Sequence, residues 1–103
     1  MTMYRQGDVL LMSVEEIPEG AKPKGRDGGR VVLAYGEVTG HAHAITEPEA
    51  LLLDAENGLF LQADETVTLR HEEHAPITVP SGSYQVIRQR EFSPSRRWLD
   101  VRD

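Results

Sequence analysis

The chain has 103 residues, contains no cysteine and carries a net charge of −6, with an isoelectric point near 5.1. This length fits one domain, so we expect residues 1–103 to form a single folded unit. The absence of cysteine excludes disulfides, thiolate zinc sites and cysteine redox chemistry. Any metal site must therefore use nitrogen and oxygen ligands. The acidic composition also argues against a general nucleic-acid-binding protein.

The N-terminal residues MTMYRQGDVLL lack the apolar core of a signal peptide. No segment contains the roughly 18 consecutive apolar residues that a membrane-spanning helix needs. The sequence therefore predicts a cytoplasmic protein that has no contact with a membrane.

The charged residues are unevenly distributed along the chain. Residues 31–87 contain nine acidic side chains and a single basic one, Arg70, whereas residues 88–103 contain five arginines and three acidic side chains. All four histidines lie in the acidic segment 31–87. A negative potential in that segment favours a bound cation over a phosphate backbone.

The first half of the chain contains two segments with the composition of strands. Asp8–Val14 predicts a first strand, and the Gly- and Pro-rich residues 17–29 predict a mobile surface loop. Arg30–Val38 is rich in valine, leucine and tyrosine, which favours a second strand. The extended chain is expected to continue through His41–Ile45.

Asn57-Gly58 lies between two apolar runs, which is a strong indication of a β-hairpin. Thr66–His71 alternates regularly and places Val67, Leu69 and His71 on one face. The remaining predicted strands are Ala50–Asp54, Leu59–Ala63, Ile77–Val79, Tyr84–Phe92 and Arg97–Val101.

About eight short strands separated by turns are typical of a small β-barrel or β-sandwich. No segment shows a sustained helical period, and any helix is expected to be a single turn near Ser13–Ile17 or within Glu47–Ala50. The sequence therefore predicts an all-β, single-domain fold with little or no helix.

The four histidines form two close pairs. His41 and His43 are two residues apart, so a strand directs both imidazoles to the same face. His71 and His74 are three residues apart and share a face only if the chain turns after His71. Together the two pairs predict a site for one divalent metal ion, which is zinc, nickel, iron, manganese or copper.

The number of ligating histidines decides what the ion can do. Four histidines would close a tetrahedral site, whereas three would leave a position for water. With three, His74, Glu72 or Glu73 is the candidate catalytic base beside the bound water, and hydrolysis is expected ahead of oxygen chemistry. Glu47 is a candidate ligand, or a carboxylate that orients a ligating histidine.

Two other functions fit the same residues. Paired histidines can act as acid and base on a phosphodiester without a metal, as in a nuclease or phosphodiesterase. The protein would otherwise be a non-enzymatic binding module in which the ion is structural or absent. The substrate remains open between a small molecule and a phosphate-containing compound.

The C-terminal arginines form a candidate surface for nucleic acid. They are interleaved with Phe92 and Trp98, a pattern that suits base stacking and phosphate contact. The overall negative charge opposes this function, and cross-strand pairing with the acidic segment is the simpler expectation. The arginines concerned are Arg88, Arg90, Arg96 and Arg97.

Residues Gly36–Glu47 resemble the first metal-binding motif of the cupins, which has a glycine, then H-x-H, then a glutamate. In cupins, these two histidines and the glutamate bind a metal ion at the mouth of a small β-barrel. The resemblance implies that His41, His43 and Glu47 are ligands in this chain.

The same resemblance implies that His71 or His74 completes the ligand set. The second cupin motif has P-x-G before its histidine, whereas Pro80-Ser81-Gly82 follows both histidines here. The resemblance therefore extends over about a dozen residues and implies no particular reaction.

Overall fold

The computed structural model describes residues 2–36 and 40–89, which form ten β-strands and no α-helix. The prediction of an all-β fold is therefore confirmed. Predicted strand Arg97–Val101 lies outside the described residues. The strands are β1 (Met3–Gln6), β2 (Val9–Val14), β3 (Lys22–Lys24), β4 (Val31–Tyr35), β5 (Ala42–Ile45), β6 (Ala50–Ala55), β7 (Gly58–Ala63), β8 (Val67–His71), β9 (His74–Val79) and β10 (Gly82–Arg88).

The strands form two antiparallel sheets that pack as a sandwich and do not close into a barrel. The larger sheet has the order β1-β2-β10-β7-β6-β3, and the smaller has the order β4-β5-β8-β9. Of the two architectures that the sequence predicts, the sandwich is the observed one. Antiparallel sheets can bury one face and leave the other to solvent, which the alternating strands of this chain require.

The core lies between the two sheets and is built from aliphatic side chains of both. Leu11 and Leu61 of the larger sheet and Ile45 and Leu69 of the smaller are fully buried. The predicted hairpin is present, because β6 and β7 pair from Ala50↔Ala63 to Ala55↔Gly58. Gly58, which follows the turn, has φ 137°, a backbone conformation that residues with a Cβ rarely adopt.

Two strands lie where the sequence predicted none. β3 falls within the predicted loop 17–29, where Pro23 pairs with Leu53 at the edge of the larger sheet. Proline is tolerated at a sheet edge because no ladder donor is needed on its outer side. β1 is mostly polar and is held by its pairing with β2, from Met3↔Met12 to Gln6↔Val9.

The two predicted helical turns are not helices. β2 extends to Val14 and a bend follows it. Glu47 instead closes a turn, in which its carbonyl oxygen accepts a hydrogen bond from the backbone N–H of Ala50 at 3.3 Å. Within residues 2–36 and 40–89, no helix has the length and apolarity needed to cross a membrane.

Candidate metal centre

A tight turn after His71 brings the second histidine pair together. His71 ends β8 and His74 begins β9, and the two residues pair directly across the hairpin. Only Glu72 and Glu73 lie between them, and the register shifts between Leu69 and His71. The sequence required this turn if both histidines were to face the same site, and the structure contains it.

All four imidazole rings meet at one end of the smaller sheet, and His71 lies at the centre. The centroid of its ring is 4.3 Å from that of His43, 4.7 Å from that of His74 and 5.8 Å from that of His41. The structure thus joins the two pairs predicted from the sequence into one cluster. It does so because the start of β5, the end of β8 and the start of β9 are adjacent in the sheet.

Three residues of this region present ligand atoms that lie close to one another. One ligand atom from each of His41, His71 and Glu72 lies within 4.8 Å of the other two. Ligand atoms around a tetrahedral zinc ion are about 3.4 Å apart, given bond lengths near 2.1 Å. The two histidines are half-buried and Glu72 is exposed, so small side-chain rotations can close this difference.

Glu72, which the sequence suggested as a base, is held as an ionised carboxylate beside the histidines. Its Oε1 atom accepts a hydrogen bond from the backbone N–H of Ala42 at 2.9 Å. This hydrogen bond is the main reason that the pKa of Glu72 lies below its usual value. Its second carboxylate oxygen is available to a cation.

Glu73 contacts both histidines of the group in different ways. Its Oε2 atom lies 3.6 Å from Nδ1 of His41, an arrangement that favours a proton on Nδ1 and leaves Nε2 for an ion. Its backbone N–H donates to Nδ1 of His71 at 3.0 Å. In the neutral ring this hydrogen bond places the His71 proton on Nε2. For an ion to bind His71, it must therefore replace this hydrogen bond at Nδ1, or the ring must rotate first.

His43 is buried and both of its ring nitrogens face polar partners. Its Nδ1 lies 2.9 Å from Oε1 of Gln6, and its Nε2 lies 3.3 Å from Oδ1 of Asp8. The Gln6 amide nitrogen donates to the carbonyl oxygens of Leu69 and Ala75, both at 3.0 Å. Gln6 therefore accepts through Oε1, so His43 donates through Nδ1.

Burial favours the neutral imidazole of His43, whereas the contact of Nε2 with Asp8 favours the protonated form. Burial is the largest effect, and together with the nearby His71 it lowers the pKa of His43 to about 4 despite the opposing charge of Asp8. Burial also acts to raise the pKa of Asp8, but the hydrogen bond and charge of Arg88 outweigh it and hold that pKa below its usual value. The sequence predicts His43 as a ligand, but it is not among the three grouped residues. It packs against the ring of His71 from the buried side of the cluster.

Gln6 and Asp8 were not identified from the sequence. They flank Gly7. In the sequence, the feature that could have indicated them is a glycine between two polar residues just before an apolar strand. Gly7 has φ 60° and lies so close to the cluster that a Cβ there would be 2.7 Å from Nε2 of His74. The loop between β1 and β2 therefore forms one wall of the histidine cluster.

The variant Gly7→Ala is expected to lower the free energy of unfolding by more than Gly20→Ala. Both glycines have positive φ and share a backbone cost of about 1–2 kcal/mol. Only the Cβ at position 7 meets the histidine cluster, since nothing lies within 4 Å of position 20. Urea denaturation of the two variants measures the difference. Equal losses of unfolding free energy would show that the close approach of Gly7 to the histidines adds no cost for a side chain at position 7.

The structure does not bring Glu47 into the grouped residues. Its Oε2 atom accepts a hydrogen bond from the backbone N–H of Thr68 at 3.1 Å, and its carbonyl oxygen accepts from Arg26 at 2.7 Å. Among the described residues, its Oε1 atom is buried without a hydrogen-bond partner. Glu47 thus ties the turn after β5 to β8.

His74 and Arg88 also have defined places. His74 is exposed, and its ring stacks at 5.8 Å and 17° on that of His43. Arg88 donates to Oδ2 of Asp8 at 3.2 Å and to the carbonyl oxygen of Tyr35 at 2.6 Å. Its guanidinium is therefore engaged within the protein. The other arginines proposed as a nucleic-acid surface, Arg90, Arg96 and Arg97, lie outside the described residues.

Comparison with known protein families places the chain in one of them. Residues 5–89 match the family described as "Domain of unknown function (DUF8820)". This range includes the four histidines, Gln6 and Glu72. No curated protein and no solved structure matches the chain. Because the match covers most of its length, the chain belongs to the DUF8820 family.

Proposed function

We propose that this protein is a metal-dependent hydrolase that holds one divalent ion through His41, His71 and Glu72. The observation that carries the proposal is the grouping of two imidazole nitrogens and one carboxylate oxygen within 4.8 Å. Two histidines and one carboxylate form a known donor set of hydrolytic zinc sites, which leave one position for water. Zinc is the ion that this set favours, and the proposed location is the cytoplasm.

The partial exposure of the group favours a catalytic site over a purely structural one. Structural zinc sites are closed by four protein ligands, whereas this group has three and reaches the surface. A bound ion would act as a Lewis acid that lowers the pKa of water at the open position. A substrate can approach from the side where Glu72 is exposed.

Glu73 is the residue that we propose as the general base. Its side chain is 64% exposed, and its Oε2 atom lies 3.6 Å from Nδ1 of His41 with no hydrogen bond to any other residue among 2–36 and 40–89. Because this side chain is exposed, rotation away from Nδ1 of His41 would bring the carboxylate toward water at the open position, where it would accept a proton. His43 and Gln6 act differently, because they hold the ring of His71 in place from the buried side.

Zinc binding to the purified, metal-free protein tests the proposal. We expect one equivalent of zinc to bind, and Glu72→Gln to weaken binding about tenfold or more, because the substitution removes a charged ligand but keeps an acceptor for Ala42. Glu65→Gln is the matched control, because it removes the same charge from an exposed site outside the cluster. Calorimetric titration gives the stoichiometry and both affinities.

The results separate the proposed function from its rivals. Failure of zinc, nickel, iron, manganese and copper to bind stoichiometrically would rule out the metal site. Binding without turnover of any ester, amide or phosphoester would identify a binding module with a structural ion. Hydrolysis that persists in a chelator would point to metal-free histidine chemistry. Zinc-dependent hydrolysis that is lost in Glu73→Gln supports the proposal in full.

A further inference from the structure

A shallow pocket adjoins the candidate metal centre on the outer face of the smaller sheet. It has a volume of about 360 Å³ and shares His71 and Glu72 with the metal group. Ala42 and Ala44 line it with small side chains, and both are almost fully buried. The volume lies at the lower end of the range for small-molecule sites, about 300–1,000 Å³.

Two arginines line this pocket and outnumber its single carboxylate, Glu72. Arg70 pairs across the strands with Ala44, and Arg30 precedes β4 on the other side of β5. Arg70 is the single basic residue between positions 31 and 87, where nine acidic residues occur. The one positive charge of this acidic segment therefore lies beside the pocket that adjoins the metal group.

The guanidinium groups of Arg30 and Arg70 are also uncommitted, unlike those of Arg26 and Arg88. Arg26 donates to the carbonyl oxygens of Gly29, Glu47 and Ala50, and Arg88 is bound to Asp8 and Tyr35. In the part of the chain that the structure describes, the side chains of Arg30 and Arg70 make no hydrogen bond or ion pair. Their donors are available to a ligand.

We propose that this pocket binds the anionic group of a small substrate, a carboxylate or a phosphate, between Arg30 and Arg70. The guanidinium fork matches both groups because each offers two oxygens at the spacing of its donors. A small anion seated there lies next to His71 and Glu72, so the bond to be hydrolysed can reach the metal ion. This inference rests on the proposed function for the reaction, but not for the binding of the anion.

Anion binding can be tested without a metal. The probes are acetate and inorganic phosphate, titrated separately into the isotopically labelled, metal-free full chain in the presence of a chelator. We expect amide resonances of Ala42, Ala44 and Arg70 to shift with saturation at millimolar concentration. The anion that binds more tightly identifies the group that the pocket recognises.

Variants locate the site of binding. Arg70→Gln and Arg30→Gln are each expected to weaken anion binding about tenfold. Arg5→Gln is the matched control, because Arg5 is exposed on β1 and does not line the pocket. Ala44→Leu is expected to block binding by filling the pocket without changing its charge.

Zinc affinity separates failure of this inference from failure of the proposed function. Arg70→Gln should not weaken zinc binding, because Arg70 is not among the grouped ligands and the loss of its positive charge favours a nearby cation. The anion pocket is overturned if neither anion shifts these resonances, or if Arg5→Gln weakens binding as much as Arg70→Gln does. A protein that binds no metal but still binds the anion through both arginines would retain the pocket and lose the hydrolase.

Discussion

Replacing Gln6 with leucine is expected to lower the free energy of unfolding by roughly 3 kcal/mol or more. Gln6 is 3% exposed and satisfies two buried groups, the carbonyl oxygen of Leu69 and Nδ1 of His43, and the partly buried carbonyl oxygen of Ala75. Leucine has similar volume but leaves all three without a partner, and each buried polar group left unsatisfied costs about 1–3 kcal/mol. Urea denaturation of the metal-free protein at neutral pH measures the loss.

Gln62→Leu provides the matched control for this prediction. Gln62 is exposed on β7, and among the described residues its amide donates only to Asp64, at 3.3 Å. Its replacement is expected to change stability by less than about 0.5 kcal/mol. A loss below 1 kcal/mol in Gln6→Leu would mean that water satisfies the three groups and that Gln6 does not hold the cluster.

Acid is expected to destabilise the metal-free protein through His43. In the unfolded chain this histidine binds a proton near pH 6.5, whereas the folded pKa is about 4. Between these values the unfolded state holds more protons. The contribution of His43 to the free energy of unfolding is therefore fully present above pH 6.5 and is lost as the pH drops toward 4. The slope from this residue is about 1.4 kcal/mol per pH unit in that window.

The contribution of His43 can be isolated by comparing slopes. His43→Gln should flatten the dependence of unfolding free energy on pH between 4 and 6.5, while His74→Gln, at an exposed position, should leave most of it. The pKa of Asp8 lies below its usual value, so Asp8 titrates below this window. If His43→Gln unfolds, NMR titration of the imidazole in the wild type gives the same answer. A ring that titrates near pH 6.5 would contradict the prediction.

Much of the fold was predictable from local patterns. Thr66–His71 alternates in the sequence, and Val67 and Leu69 are fully buried in β8. Asn57-Gly58 marks the position of the β6–β7 hairpin, although the two connecting residues are Glu56 and Asn57 and Gly58 already pairs with Ala55. The sequence predicts a loop at residues 22–24 because a proline between two lysines has no strand propensity. Pairing with β6 makes this segment a strand.

The candidate site was predictable in its residue types but not in their roles. Spacing indicated that His41, His43, His71 and His74 could meet. His43 differs from the other three in its burial and in its hydrogen bond to Gln6. Gln6 is 37 residues away in the sequence, so no local pattern reveals this contact. Glu72 joins the metal group because a backbone N–H of β5 holds its carboxylate, and no sequence pattern reports such a contact.

The short strand β3 has a consequence for how this protein behaves at high concentration. All three of its residues, Lys22, Pro23 and Lys24, are exposed at the outer edge of the larger sheet. The proline removes a backbone donor from that edge, and the two lysines place like charges opposite any identical strand that approaches. Growth of the sheet from one molecule into the next is therefore opposed at β3, which protects this edge against aggregation.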